Sequence, residues 1–171
     1  MKRELNKYLG TLSDKELIKE IKKLYDKFPA VQAYYGMELS PNTEAMVAEY
    51  KQRIREEYFP KRGYGRARNS VSNKVIADFR KVAIHKKDMV DLLLSRTEVM
   101  LEFTNAYGDI EATFYNSLIS SFKKACAMIE QESLHKYYRV HCQELVSSAS
   151  NLGWGVHEQL KHLYRQCFME R

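Results

Sequence analysis

Three features of the 171-residue chain predict an all-α fold. Only three prolines and seven glycines punctuate it, too few for the many tight turns of a β-rich domain. Strong helix formers (Leu, Lys, Glu, Ala, Arg) are frequent, and apolar residues recur at three- and four-residue spacings with no strand-like alternation. The length suits a single helical domain over residues 1–171. About seven to eight helices are expected, packed as antiparallel hairpins in an orthogonal bundle or a short solenoid-like stack. A 44% apolar and 29% charged composition excludes global disorder.

The elements follow in order. Leu5, Tyr8, Leu9 and Leu12 mark a short helix that Gly10 can end, and Ser13 with Glu16 three residues on reads as a capping box. Leu17, Ile21, Leu24 and Phe28 then predict a buried stripe, with five lysines from Lys15 to Lys27 on the wet side. Pro29 stops that helix or begins the next. Val31, Tyr34 and Tyr35 suit a short helix broken by Ser40, Pro41 and Asn42, of which Ser40 or Asn42 can cap its successor. Residues 1–40 are thus a set of short N-terminal helices.

Three hairpins of about 40 residues follow, 43–83, 87–131 and 134–168, the length of stacked helical repeats. Met46, Val47, Tyr50, Ile54 and Tyr58 carry the first helix to Pro60. After a joint, Ser70 can cap a helix with Val71, Val75, Phe79 and Val82 on its apolar edge, ending near His85. Apolar residues on more than one face between Lys87 and Tyr107 predict the central helix. Gly108 can close it in a left-handed conformation, and Asp109 can cap the next, whose stripe runs from Ile110 through Phe114, Leu118, Phe122 and Cys126 to Ile129. Leu134 to Leu152 and Val156 to Cys167 give the last two, separated by Gly153-Trp154-Gly155 with Trp154 as a buried plug between them, or in the competing view an anchor on a partner. Tyr8, Tyr50, Tyr58, Tyr138 and Tyr164 lie on apolar stripes and are expected to line the core.

The run KRELNKYLGTLSDKELIKEIKKLYDKF, followed by YYGMELSPN and EYFP, resembles an uncharacterised bacterial all-helical family that carries only a domain-of-unknown-function label. Residues 2–60 carry the resemblance. It implies a bacterial cytoplasmic helical protein and brings no activity, ligand or site.

Other features agree with a cytoplasmic setting. No apolar run approaches the roughly 20 residues of a membrane span, and the charged N-terminus has no signal-peptide core. Cys126, Cys142 and Cys167 are odd in number and sit on apolar stripes, as buried thiols do in a reducing compartment.

The charge is uneven. The chain carries a net +6, yet nine cations lie between residues 61 and 87 (Lys61, Arg62, Arg66, Arg68, Lys74, Arg80, Lys81, Lys86, Lys87) against one acid, Asp78. The whole excess sits in that segment, which predicts an acidic partner. The joint YFPKRGYGRARNS (residues 58–70) adds Gly63 and Gly65 for close backbone approach and Tyr64 for stacking on a base. The leading expectation is a non-enzymatic interaction module contacting nucleic acid, with an acidic protein as the other candidate, through Lys61, Arg62, Tyr64, Arg66, Arg68, Lys74, Lys81, Lys86 and Lys87. The competing view of the joint is an unordered, hydrated connector.

Two alternatives stand beside it. Arg80-Lys-Val-Ala-Ile-His85 has the Arg-x4-His spacing of HEPN-type ribonucleases, in which a histidine moves the 2′-hydroxyl proton and an arginine stabilises the phosphate. The bland reading is that His85 caps a helix and Arg80 is a solvated charge. The other alternative is a protein scaffold with no nucleic-acid role, whose largest exposed apolar patch would lie away from the basic segment. No cofactor is expected, since Walker A and dinucleotide fingerprints are missing. No metal is expected either, because His135, His141, His157 and His162 and the cysteines lack local ligand spacing. Cys142 beside His141 points about 100° away on a helix and makes no nucleophile pair.

Overall fold

The computed structural model describes residues 1–40 and 42–169. Among them are nine helices and no strand: α1 (Lys2–Leu9), α2 (Asp14–Lys27), α3 (Pro29–Leu39), α4 (Glu44–Tyr58), α5 (Asn69–Val82), α6 (Lys86–Tyr107), α7 (Ala112–Gln131), α8 (His135–Ser148) and α9 (Val156–Phe168). The all-α class is as expected. The count is slightly above seven to eight, with Gly10–Ser13 and Phe28–Pro29 separating the N-terminal pieces as the sequence suggests. Glu16 reaches back to the Ser13 N–H at 2.8 Å, as a capping box does. Asn42 Oδ1 accepts the Glu44 N–H at 2.7 Å at the head of α4; the break expected at Pro41 lies outside the described residues.

Three hairpins, α4/α5, α6/α7 and α8/α9, pack so that the middle one carries both outer ones: α4 and α5 lie on α6, while α8 and α9 lie on α6 and α7. Helix α6 is the axis, as its apolar residues on several faces predict, and Val90, Leu92, Leu93 and Leu94 are all buried. The turn into α7 departs from expectation. Gly108 has φ 85° and ψ −160°, a conformation that only glycine holds without strain rather than the left-handed helical one. Asp109 does not cap: α7 begins at Ala112 with Glu111 as its N-cap. The reason is Tyr115, whose buried hydroxyl pairs with Thr104 Oγ1 at 2.8 Å and accepts the Ile110 N–H at 3.2 Å, holding residues 108–111 outside the helix.

The N-terminal stripe is the main correction. Ile21, Leu24 and Phe28 are exposed, Leu17 is only half-buried, and neither α1 nor α2 has a buried residue. Helix α2 packs on α3, and α3 on α5, and this leaves the apolar stripe of α2 partly exposed. Tyr8 is exposed with it, whereas Tyr50, Tyr58, Tyr138 and Tyr164 are buried. Trp154 is 56% exposed, not a plug. It takes φ +60° between its glycines and stacks on Tyr115 with ring centroids 5.8 Å apart. The three cysteines are buried as thiols. Cys126 is pushed above the ordinary thiol range, first by its hydrogen bond with Cys142.

Candidate functional site

Residues 59–68 join α4 to α5, and they are strapped down. The Arg66 and Ala67 N–H groups donate to the Glu57 carbonyl at 3.1 and 3.2 Å. The Glu57 carboxylate accepts the Arg68 N–H at 3.0 Å and the Arg68 guanidinium through Nε at 2.8 Å and Nη2 at 3.0 Å, a fork-to-carboxylate pair. The Glu57 side chain is only 7% exposed. The Arg68 hydrogen bond holds its carboxyl below the ordinary value against the opposing effect of burial.

The same carboxylate replaces the expected Ser70 cap. Helix α5 starts at Asn69, Arg68 is its N-cap residue without a side-chain cap bond, and Glu57 supplies negative charge at that end. The glycines explain how the chain folds back so tightly. A Cβ on Gly65 would lie 1.7 Å from the Tyr58 carbonyl oxygen, and Gly63 has φ +77°. The result is an ordered platform on which Lys61, Arg62 and Arg66 make no side-chain hydrogen bond or ion pair with a described residue, beside Tyr64 at 87% exposed. The joint is therefore tied to the end of α4 through residues 66–68.

The remaining cations do not join this platform as one face. Lys81 pairs with Asp78 at 2.8 Å on an outer side of α5 that Lys74 shares, seven residues away. Helix α5 has 14 residues and is about 20 Å long, so Lys86 and Lys87 sit at the other end of the hairpin. There Lys87 pairs with Asp91 at 2.9 Å, Asp91 also accepts the Tyr138 hydroxyl at 2.7 Å, and Asp88 accepts Thr43 Oγ1 at 2.7 Å. Arg68, Lys81 and Lys87 are thus ion-paired with neighbouring acids, while the side chains of Lys61, Arg62, Arg66, Lys74, Arg80 and Lys86 make no ion pair with a described residue, although Arg66 and Lys74 still act at longer range on Glu57 and Asp78.

Arg80 and His85 are not brought together. His85 is the exposed N-cap residue of α6, makes no cap bond, and lines a depression with Thr43, Lys86, Asp88 and Glu132. Arg80 lines a separate cavity with Arg96, Ser117 and Lys124, and the two share no residue. Among the described residues no group of three or more His, Cys, Asp or Glu is placed to hold a metal.

Two site residues escaped the sequence reading. Glu57 is invisible because its partner is 11 residues away across a loop. Arg96 had a signal: it is a cation inside the one helix that is apolar on several faces. It is 1% exposed, and its guanidinium donates to Ser72 Oγ (3.0 Å), Asn69 Oδ1 (3.2 Å), Ser117 O (3.2 Å) and Ser117 Oγ (2.7 Å), with no carboxylate among its partners. Burial pulls it below the ordinary arginine value, and the neighbouring Tyr58 phenol works the other way.

Fold and site together define a class: an all-helical protein of stacked hairpins carrying a strapped, cation-bearing joint at one hairpin end. None of its described helices is long and apolar enough to cross a membrane. The chain belongs to a family of unknown function, DUF6155, whose family model matches residues 1–168. No curated protein and no solved structure matches it.

Proposed function

We propose that the protein is a non-enzymatic helical module that binds nucleic acid, gripping backbone phosphates at the joint between α4 and α5 in a bacterial cytoplasm. The supporting observation is the platform itself: Lys61, Arg62 and Arg66, whose side chains make no hydrogen bond or ion pair with a described residue, beside an exposed Tyr64, on a loop tied to the Glu57 carbonyl and carboxylate through residues 66–68. Fixed cations neutralise phosphates without reading sequence, and an exposed ring among them offers a stacking surface for an unpaired base. Arg68 belongs to the scaffold of the platform rather than to its contacts.

The test is binding to labelled single-stranded RNA and duplex DNA over a range of salt concentrations. Replacing Lys61, Arg62 and Arg66 together by Ala removes three phosphate contacts and is expected to flatten the single-strand log K against log salt slope by about 2. Tyr64→Ala is expected to weaken single-strand binding about tenfold and leave the slope unchanged. Absence of binding at low salt, or an unchanged slope in the triple variant, overturns the reading.

A second reading has its own support. The apolar residues left exposed on α1–α3, including Leu5, Ile21, Leu24 and Phe28, form a stripe apart from the basic joint. Such a stripe suits a protein partner. Sedimentation of the intact chain beside an Ile21→Lys, Leu24→Lys variant tests whether a second copy covers it.

A further inference from the structure

The cavity beneath Arg80 is lined by one face from each of three helices: Asn73, Ile76 and Arg80 of α5, Leu93 and Arg96 of α6, and Ser117, Ser120, Ser121 and Lys124 of α7. The spacings i, i+3, i+7 on α5 and i, i+3, i+4, i+7 on α7 are those of a single helix face. The cavity holds about 100 Å³, room on the order of three waters at about 30 Å³ each. That admits a tetrahedral oxyanion and excludes a nucleoside.

Its lining is cationic and rich in donors. Arg96 is at the base, Arg80 and Lys124 are exposed at the rim, and no acid contributes. The side chains of Arg80, Lys124, Asn73 and Ser120 make no hydrogen bond or ion pair with a described residue. Arg96 has five N–H groups; four are taken by Ser72, Asn69 and Ser117, and the Tyr58 hydroxyl also bonds the guanidinium, so what Arg96 brings to the cavity is its uncompensated charge. A buried guanidinium with no carboxylate partner is costly, and two rim cations facing one cavity repel each other. One doubly charged anion answers both problems.

We infer that this cavity binds a single phosphate-class oxyanion, held by Arg96 from below and by Arg80 and Lys124 from the rim, with Asn73 and Ser120 as neutral donors. The site shares no residue with the joint platform, so it stands or falls separately from nucleic-acid binding there. A phosphate carries about −1.5 to −2 at neutral pH and offers oxygens that a guanidinium can grip two at a time.

The test is calorimetric titration of the full chain with inorganic phosphate in low-salt chloride buffer, with potassium chloride at matched ionic strength as the control. A 5′-phosphorylated oligonucleotide and its 5′-hydroxyl counterpart form the second arm. The variants are Arg80→Gln, Lys124→Gln and their double, all at exposed positions that leave the core untouched. Expected is one-to-one phosphate binding, weakened about tenfold or more by each substitution and retained when Lys61, Arg62 and Arg66 are replaced. Saturation by inorganic phosphate identifies a free ion as the ligand. Preference for the 5′-phosphorylated strand that vanishes in the double variant, without binding of inorganic phosphate, identifies a phosphate carried on nucleic acid. Binding unchanged in the double variant, or no binding in either arm, overturns the inference.

Discussion

Replacing Gly65 by Ala tests whether the joint is built as described. The new methyl would meet backbone only, at 1.7 Å from the Tyr58 oxygen, 2.4 Å from its carbonyl carbon and 2.9 Å from its Cα. No side chain can yield, so residues 63–67 must lift away from the end of α4. Lifting breaks the Arg66 and Ala67 N–H bonds to the Glu57 carbonyl, each contributing about 1 kcal/mol net, and it pulls the Arg68 fork from its carboxylate. At least about 2 kcal/mol is expected from the two backbone bonds alone, a fall of roughly 4–8 °C in the unfolding midpoint for a chain of this size. Gly63→Ala is the internal comparison, because its Cβ would meet nothing within 4 Å and only the φ of +77° is penalised, at about 1 kcal/mol. Thermal and urea unfolding of both variants reads the order directly. A Gly65→Ala midpoint within 1 °C of wild type, or a Gly63→Ala variant that is the less stable of the two, refutes a joint packed on the Tyr58 backbone.

Three further outcomes follow from the same contacts. The Glu57 carboxyl is held below its ordinary value of 4.5, so its stabilising effect is full above that pH and lost as pH falls through the lower folded-state value. The stability gap between wild type and Glu57→Gln should therefore be widest near neutrality and narrow as pH falls below 4.5, measured by urea unfolding across pH. Leu24→Ala, on the partly exposed stripe of α2, should change stability by no more than about 0.5 kcal/mol, whereas Ile54→Ala, fully buried in α4, should cost about 2–5 kcal/mol. Similar costs for the two would mean that something does cover α2. Trp154 is the chain's single tryptophan and lies largely in solvent, so its emission should be quenched readily by iodide in the folded state, and shielding as complete as in a buried indole would contradict its position.

The helices were legible because their signal is local. Spacings such as Val75, Phe79 and Val82 report a face wherever the chain folds, and the Ser13–Glu16 cap needs only three residues of context. Whether a face is covered is not a local matter: Ile21 and Leu24 lie on a stripe of the same helical periodicity as Val75 and Phe79, yet only the second pair is buried. The turn at Asp109 was misread for a related reason, since acids before an apolar stripe signal a cap unless a distant hydroxyl, here Tyr115, takes the backbone first. The basic segment was legible as a composition and not as a surface. Counting cations cannot show that Arg68, Lys81 and Lys87 meet acids at 2.8–2.9 Å, nor that Lys124 from α7 joins Arg80.

Arg96 connects these parts, and its removal is the last prediction. Its donors reach Ser72, whose hydroxyl also pairs with Tyr58 at 3.0 Å, and Asn69, the residue next to Arg68. The C-terminal end of α4, the first turn of α5 and the second turn of α7 are therefore held by one side chain on α6. Arg96→Ala empties a buried site and leaves Asn69 Oδ1 and the Ser117 carbonyl without that donor. A buried charge network broken on one side costs about 3–5 kcal/mol, mostly through the partner charge left behind. No carboxylate is stranded here, so the cost of Ala comes from lost packing and from the neutral acceptors left unpaired, about 1–3 kcal/mol for each buried one. Arg96→Met refills most of the volume and should recover part of that loss. Urea unfolding gives the ranking, wild type above Met above Ala. If Met proves more stable than wild type, the guanidinium is retained against the interest of the fold, which is what a side chain kept to meet an anion would do. If Ala equals wild type, the network does not hold the hairpins together, and the account of how α5 is anchored fails with it.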